Sequence, residues 1–159
     1  MQVLLDCSDF RLPNAVDLKG CTALHCVSQG SSQSVHAAEV LLRHRRFTAA
    51  DLPDDAGWTA LHFAAACSST VGLVRAIMRH QSFRAAVNFR DETGRTALHL
   101  AAAHGNVTTV ELLLNNARFV EADAQDKSGR TALHWAAANG HRDAVAAFLQ
   151  HDRFNAAGG

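Results

Sequence analysis

Thr22-Ala23-Leu24-His25 recurs as Thr59-Ala60-Leu61-His62, Thr96-Ala97-Leu98-His99 and Thr131-Ala132-Leu133-His134, and this register decides the fold. The four starts lie 37, 37 and 35 residues apart. Each Thr has an Asp five residues upstream (Asp17, Asp54, Asp91, Asp126) and a Gly two residues upstream (Gly20, Gly57, Gly94, Gly129). One such tetrapeptide would carry no weight. Four in register, with the same two companions, mark a repeat array.

Working outward from the third copy, Thr96 is a good N-cap, with Ala97 at the first helical position. His99 falls at the third, where a capping box usually has Glu or Gln. Ala97 to His104 is then a short helix of strong formers, ended by Gly105. A second helix follows, with Val110, Leu113 and Leu114 on one face. Val145, Phe148 and Leu149 repeat that face in the fourth unit, Val74, Ile77 and Met78 in the second, and Ala38, Leu41 and Leu42 more loosely in the first. Five residues beyond each pair comes a Phe (Phe47, Phe83, Phe119, Phe154). A polar connection containing Asn14, Asp51, Asn88 or Asp123 then leads to the next Asp-x-x-Gly, and these residues favour turns. A unit of two short antiparallel helices and a loop cannot bury its own apolar face, so neighbours must stack.

The unequal spacings fall in turns, as stacking requires: extra residues lie around Ser31 to Ser34 and around Ser68 to Thr70. Leu4-Leu5, Phe10, Asn14, Asp17 and Gly20 match the tail of a repeat. The chain is therefore expected to open inside the second helix of an earlier unit. At the other end Phe154 is followed by Asn155-Ala156-Ala157 and two glycines, and Ala146 and Ala147 sit where a terminal repeat normally has a polar face. The expectation is a piece of a longer array.

Composition agrees with closely packed helices: 48% of the 159 residues are apolar but only 6% are aromatic. Fifteen basic residues balance fifteen acidic ones, so no net charge draws the chain to nucleic acid or an anionic membrane. Apolar runs are short and broken by charges, which argues against membrane insertion. The four cysteines show no CxxC pairing and no export signal precedes them, so they read as reduced thiols of a cytoplasmic or nuclear protein.

The pattern resembles the ankyrin repeat family, whose unit reads Asp-x-x-Gly-x-Thr-Pro-Leu-His-x-Ala-Ala, a turn with Gly, then Val-x-x-Leu-Leu. Asp91 to Ala102 and Asp126 to Ala137 are the closest copies, and the resemblance covers almost the whole chain. Ala replaces Pro in every copy (Ala23, Ala60, Ala97, Ala132), a Phe-containing segment replaces the Gly-Ala after the second helix, and Val27-Ser28 stands for Ala-Ala in the first repeat. The resemblance implies an all-α solenoid of helix-turn-helix units with hairpin-like loops. It would be a single domain over 1–159, divided into the tail of a truncated repeat (1–16) and repeats at 17–53, 54–90, 91–125 and 126–159.

It further implies a protein partner, held by the fingertips and by the inner helices of a concave face, without catalysis and without a cofactor. Carried over position by position, the fingertips are Lys19 and Cys21; Asp55, Ala56 and Trp58; Glu92, Thr93 and Arg95; Lys127, Ser128 and Arg130. The inner-helix set is Gln29, Ala66, Cys67, Ala103, His104, Ala138 and Asn139.

Individual residues sharpen this. Trp58, in a column otherwise held by Cys21, Arg95 and Arg130, is either a binding anchor or a residue packed on its own loop. As an anchor, its truncation together with Arg95 should weaken binding with little loss of stability. Trp135 shares an apolar column with Cys26, Phe63 and Leu100 and is expected in the core. The motif histidines, one per unit, are too far apart for a shared metal, since stacked helices lie about 8–10 Å apart. They should instead hydrogen-bond a neighbouring loop. His44, His80 and His151 follow second helices, and Arg43-His44-Arg45-Arg46 sits at a helix C-terminus that stabilises cations anyway.

No phosphate loop, metal-hydrolase motif or nucleophile elbow is present, nor the basic–aromatic interleaving of a nucleic-acid binder. The sequence therefore describes a monomeric interaction scaffold. A regulatory or targeting segment of a larger enzyme would present the same surface.

Overall fold

A computed structural model describes residues 13–30, 34–80 and 86–151. Four inner helices begin directly after the motif Thr: α1 (Ala23–Ser28), α3 (Ala60–Ala66), α5 (Ala97–Ala103) and α7 (Ala132–Ala138). Each is followed by an antiparallel outer helix: α2 (Ser34–Arg43), α4 (Val71–Arg79), α6 (Val107–Leu114) and α8 (Arg142–Gln150). The residues expected as an insertion in the second repeat form a 3₁₀ turn, Ser68–Thr70, ahead of α4. Another 3₁₀ turn, Ala86–Asn88, precedes the third loop. Residues 1–12 of the truncated repeat expected at the N-terminus, together with Phe83 and Phe154, fall outside the described residues.

Helices of six to ten residues are marginal alone, so packing must hold them. Inner helices pack in the order α1, α3, α5, α7, outer helices in the order α2, α4, α6, α8, and each inner helix also packs on its own outer partner. The core lies between these layers. Leu24, Leu61 and Leu98 are fully buried, each contributing about 1.5–3 kcal/mol. Ala64, Ala65, Ala101 and Ala102 are buried too, and their small side chains let α3 and α5 approach closely. Phe47 and Phe119 cover the ends of the outer layer and are also buried.

Each loop turns back on itself through an N–H of the Asp donating to the carbonyl four residues on: Asp17 to Cys21, Asp54 to Trp58, Asp91 to Arg95 and Asp126 to Arg130. An isolated antiparallel bridge, Val16 to Thr22, closes the first finger. Adjacent fingers are joined by one backbone bond each: Asp55 N–H to Lys19 O, Glu92 N–H to Ala56 O and Lys127 N–H to Thr93 O. That approach explains the invariant Gly. Gly57 has φ +77°, and a Cβ on it would stand 2.9 Å from the Glu92 nitrogen. Gly129 has nearly the same φ but nothing within 4 Å, because no described finger follows it.

Two of the connection residues read as turn formers, Asn14 and Asn88, also tie repeats together. Asn14 donates to Arg46 O and accepts from the Thr48 and Ala49 amides. Asn88 does the same with Arg118 O and the Val120 amide. A further cross-repeat bond runs from Asn106 Nδ2 to Ala65 O, 2.7 Å long and buried.

Candidate protein-binding face

The motif histidines are connectors with both ring nitrogens committed. In each of the first three copies the Thr amide donates to His Nδ1, at 3.0 Å for Thr22 to His25 and 3.1 Å for Thr59 to His62 and Thr96 to His99. An accepting Nδ1 places the proton on Nε2. That atom then donates across to the next loop: His25 to Trp58 O (3.0 Å), His62 to Arg95 O (3.3 Å) and His99 to Arg130 O (3.1 Å). His thus replaces Glu or Gln in the capping box and adds an inter-repeat bond.

Burial is the main cause that lowers the pKa of all three, to about 4 for His62. The ring is held neutral, as this donor–acceptor pattern requires. His134, in the last described repeat, makes the local Thr131 bond at 3.3 Å but is exposed.

The loop aspartates are the second set of hubs. Asp91 Oδ1 accepts from the Thr93 and Arg95 amides and the Thr93 hydroxyl, while Oδ2 accepts from Arg95 Nε (2.9 Å) and Trp58 Nε1 (3.1 Å). Asp126 follows the same plan: the Ser128 and Arg130 amides on Oδ1, Trp135 Nε1 (3.0 Å) and Arg130 Nε (3.3 Å) on Oδ2. Burial alone would push the Asp126 carboxyl up. The Arg130 amide, the Trp135 indole, the Ser128 amide and the Arg130 charge overcome it and hold the pKa at about 2. Burial opposes the downward shift at Asp91 too, and the Thr93 hydroxyl and the Arg95 amide and side chain prevail. These hubs were not assigned from sequence, although the strict Asp column was the available signal.

Together the hubs hold a ladder of flat groups along the base of the fingers. The Arg95 guanidinium lies 5.8 Å from the Trp58 ring centre and 5.9 Å from that of Trp135, and Arg130 lies 4.0 Å over Trp135. Each guanidinium is also anchored by its own aspartate. Trp58 packs at 4.9 Å on Phe63, beside His62. Trp58 is thus half-buried, and beyond packing beside its own loop its indole ties that loop to the third finger. Losing that bond on truncation is expected to cost stability.

Trp135 requires a correction. It packs against the core but is only half-buried, with its indole N–H bonded to Asp126. Its column is not uniform in burial: Cys26 is exposed, Phe63 half-buried and Leu100 buried.

Of the residues carried over as contacts, Lys19, Asp55, Ala56, Glu92, Thr93, Lys127, Ser128 and Arg130 are exposed on the fingers, and Arg95 is half-buried. Cys21 is instead buried, its thiol 3.9 Å from Asp54 Oδ2; burial and the charges of Asp17 and Asp54 push that thiol's pKa up. His104 and Asn139 are exposed at the C-terminal ends of α5 and α7, with Asn139 Nδ2 bonded to Ala103 O. Arg95, Arg130 and Trp135, with Glu92, Thr93 and Lys127, line a cleft of about 300 Å³ between the third and fourth fingers.

Among the described residues no three His, Cys, Asp or Glu side chains converge as a metal site, and no single helix is long and apolar enough to cross a membrane. A family model described as "Ankyrin repeats (3 copies)" matches residues 1–82 and again residues 65–157. No curated protein matches the chain. A helical repeat array in this register, matched by that model over nearly its whole length, means that the chain belongs to the ankyrin-repeat family, whose members are generally protein–protein interaction modules.

Proposed function

We propose that this chain is a non-catalytic adaptor that grips a protein partner with its fingertips and the neighbouring ends of its inner helices. The observation that carries this reading is the ladder Trp58–Arg95–Trp135–Arg130. Trp and Arg are the side chains most enriched where interfaces concentrate their energy. Here the guanidinium groups are held by Asp91 and Asp126 before any partner arrives, so little side-chain entropy remains to be lost on binding. The cleft beside Trp135 is flanked by Lys127 and Ser128, whose side chains stand free on the last described finger.

The test is affinity capture from the source cell with the wild-type chain and with Lys127→Ala/Arg130→Ala as baits. The proposal expects a protein retained by the first and lost, or weakened at least about tenfold, with the second. A partner held equally by both baits rejects the finger face as the binding site.

A further inference from the structure

The balanced charge of the whole chain conceals a one-sided outer surface. Over residues 34–46 and 71–80, which contain α2 and α4, there are five arginines (Arg43, Arg45, Arg46, Arg75, Arg79) and one carboxylate, Glu39. The outer segments that follow are balanced, with Glu111 against Arg118 and Asp143 against Arg142. All five arginines are exposed. None takes part in the ion pairs of the described residues, which join Arg90 to Glu121, Arg95 to Asp91 and Arg130 to Asp126. The end of a helix accounts for a cation or two near Arg43, as the sequence suggested, but not for Arg75, which lies mid-helix in α4.

These arginines flank a groove. Between α2 and α4 runs a cleft of about 460 Å³, with Val35, Leu42 and Ala76 on its floor and Arg43, Arg75 and Arg79 along its rim; Glu39 also lines it. Gly72 faces the same cleft, where an added Cβ would come within 3.2 Å of Val35 Cγ2. Glycine inside a helix costs about 1 kcal/mol relative to alanine, and here it leaves the two helices close and the groove open. Arg75 and Arg79 form a ridge, beyond which lies a smaller cleft of about 220 Å³ between α4 and α6, lined in part by Met78 and Leu112.

We propose that this outer groove is a second docking surface, for an acidic segment of a partner protein that carries an aliphatic side chain. Guanidinium groups pair with carboxylates through two parallel hydrogen bonds, and a cluster of them outside the ion pairs of the described residues, beside an apolar floor, matches a segment with acidic residues around a Leu, Ile or Val. Nucleic acid fits less well, because among the described residues no Phe, Tyr or Trp lines either cleft and His80 is the one ring there to stack a base. A membrane fits less well too: the apolar floor is recessed between helices, and the exposed large apolar residues (Val16, Leu18, Leu52, Val120, Leu149) lie outside α2 and α4. This surface is on the helix layer opposite the fingers, so one chain would hold two partner segments at once.

The test uses the full chain and a displayed library of random peptides, selected on wild type and counter-selected on Arg43→Ala/Arg75→Ala/Arg79→Ala. The expected binders are rich in Asp and Glu around an aliphatic residue. They should bind the triple variant at least about tenfold more weakly, weaken steeply with added salt, and keep full affinity for Lys127→Ala/Arg130→Ala. Melting temperatures check that the triple variant folds; if it does not, Arg75→Gln and Arg79→Gln singly carry the same comparison. A library that yields no acidic binder overturns the proposal. So do binders indifferent to all of these substitutions, and so does tighter binding of anionic lipid vesicles or single-stranded DNA than of any selected peptide.

Discussion

Acid should loosen this repeat stack through its neutral histidines, and His62 gives the size of the effect. Burial holds its pKa at about 4, against 6.5 for an exposed imidazole. Below pH 6.5 the unfolded chain takes up a proton that the folded chain refuses until about pH 4. The unfolded state therefore binds more protons throughout that window, and stability falls as pH falls. At 1.36 kcal/mol per pKa unit, His62 alone accounts for about 3 kcal/mol between the two limits. His25 and His99 are shifted the same way by burial and add to the loss with the same sign.

The perturbation is His62→Gln, which keeps a side-chain N–H for Arg95 O but cannot titrate. Urea unfolding across a series of buffers between neutral pH and about pH 4 gives stability against pH for both chains. The variant starts lower, and its loss on acidification should be smaller by about 3 kcal/mol. Parallel curves for wild type and variant would show that His62 titrates alike in the folded and unfolded states, and would refute the tautomer assignment.

Much of this architecture was legible because the repeat unit is a local pattern. The Thr column places the starts of all four inner helices, at Ala23, Ala60, Ala97 and Ala132. The apolar pairs of the outer helices are likewise buried where they were expected in α4 and α6. What the sequence could not show depends on the facing repeat. Trp135 sits in an apolar column and reads as core, yet a buried carboxylate at Asp126 draws its indole to the finger base. Cys21 sits in a fingertip column and reads as exposed, yet Asp54 of the next loop covers it. Asn14 and Asn88 look like turn formers, and only the stacked neighbour reveals the carbonyls and amides they serve. The outer groove is invisible for the same reason: Arg43 and Arg75 are distant in sequence and line one cleft between two helices.

Two substitution pairs test the stacking account by urea unfolding. Gly57→Ala and Gly129→Ala both force a side chain into positive φ, at about 1–2 kcal/mol each. Only Gly57→Ala also crowds the Glu92 amide, so it should cost about 1 kcal/mol more, and equal losses would contradict the close approach of the fingers. Asn106→Ala strips the buried Ala65 carbonyl of its side-chain donor and should cost about 1–3 kcal/mol. His141→Ala should cost less, since Asn139 still donates to the Ala103 carbonyl that His141 serves. The reverse order would show that these side chains do not join the repeats as described.

Trp58→Phe keeps the ring against Phe63 but removes the indole bond to Asp91. It should lower stability by about 1–2 kcal/mol in a melting experiment, and an unchanged melting temperature would return Trp58 to a pure surface role.

The measurement closest to the central claim is amide hydrogen exchange on the chain, free and bound to the partner it captures. The account predicts new protection at the finger residues around Asp55–Ala56, Glu92–Thr93 and Lys127–Ser128 and at the C-terminal ends of α5 and α7. A bound complex in which those amides exchange as fast as in the free chain would contradict it.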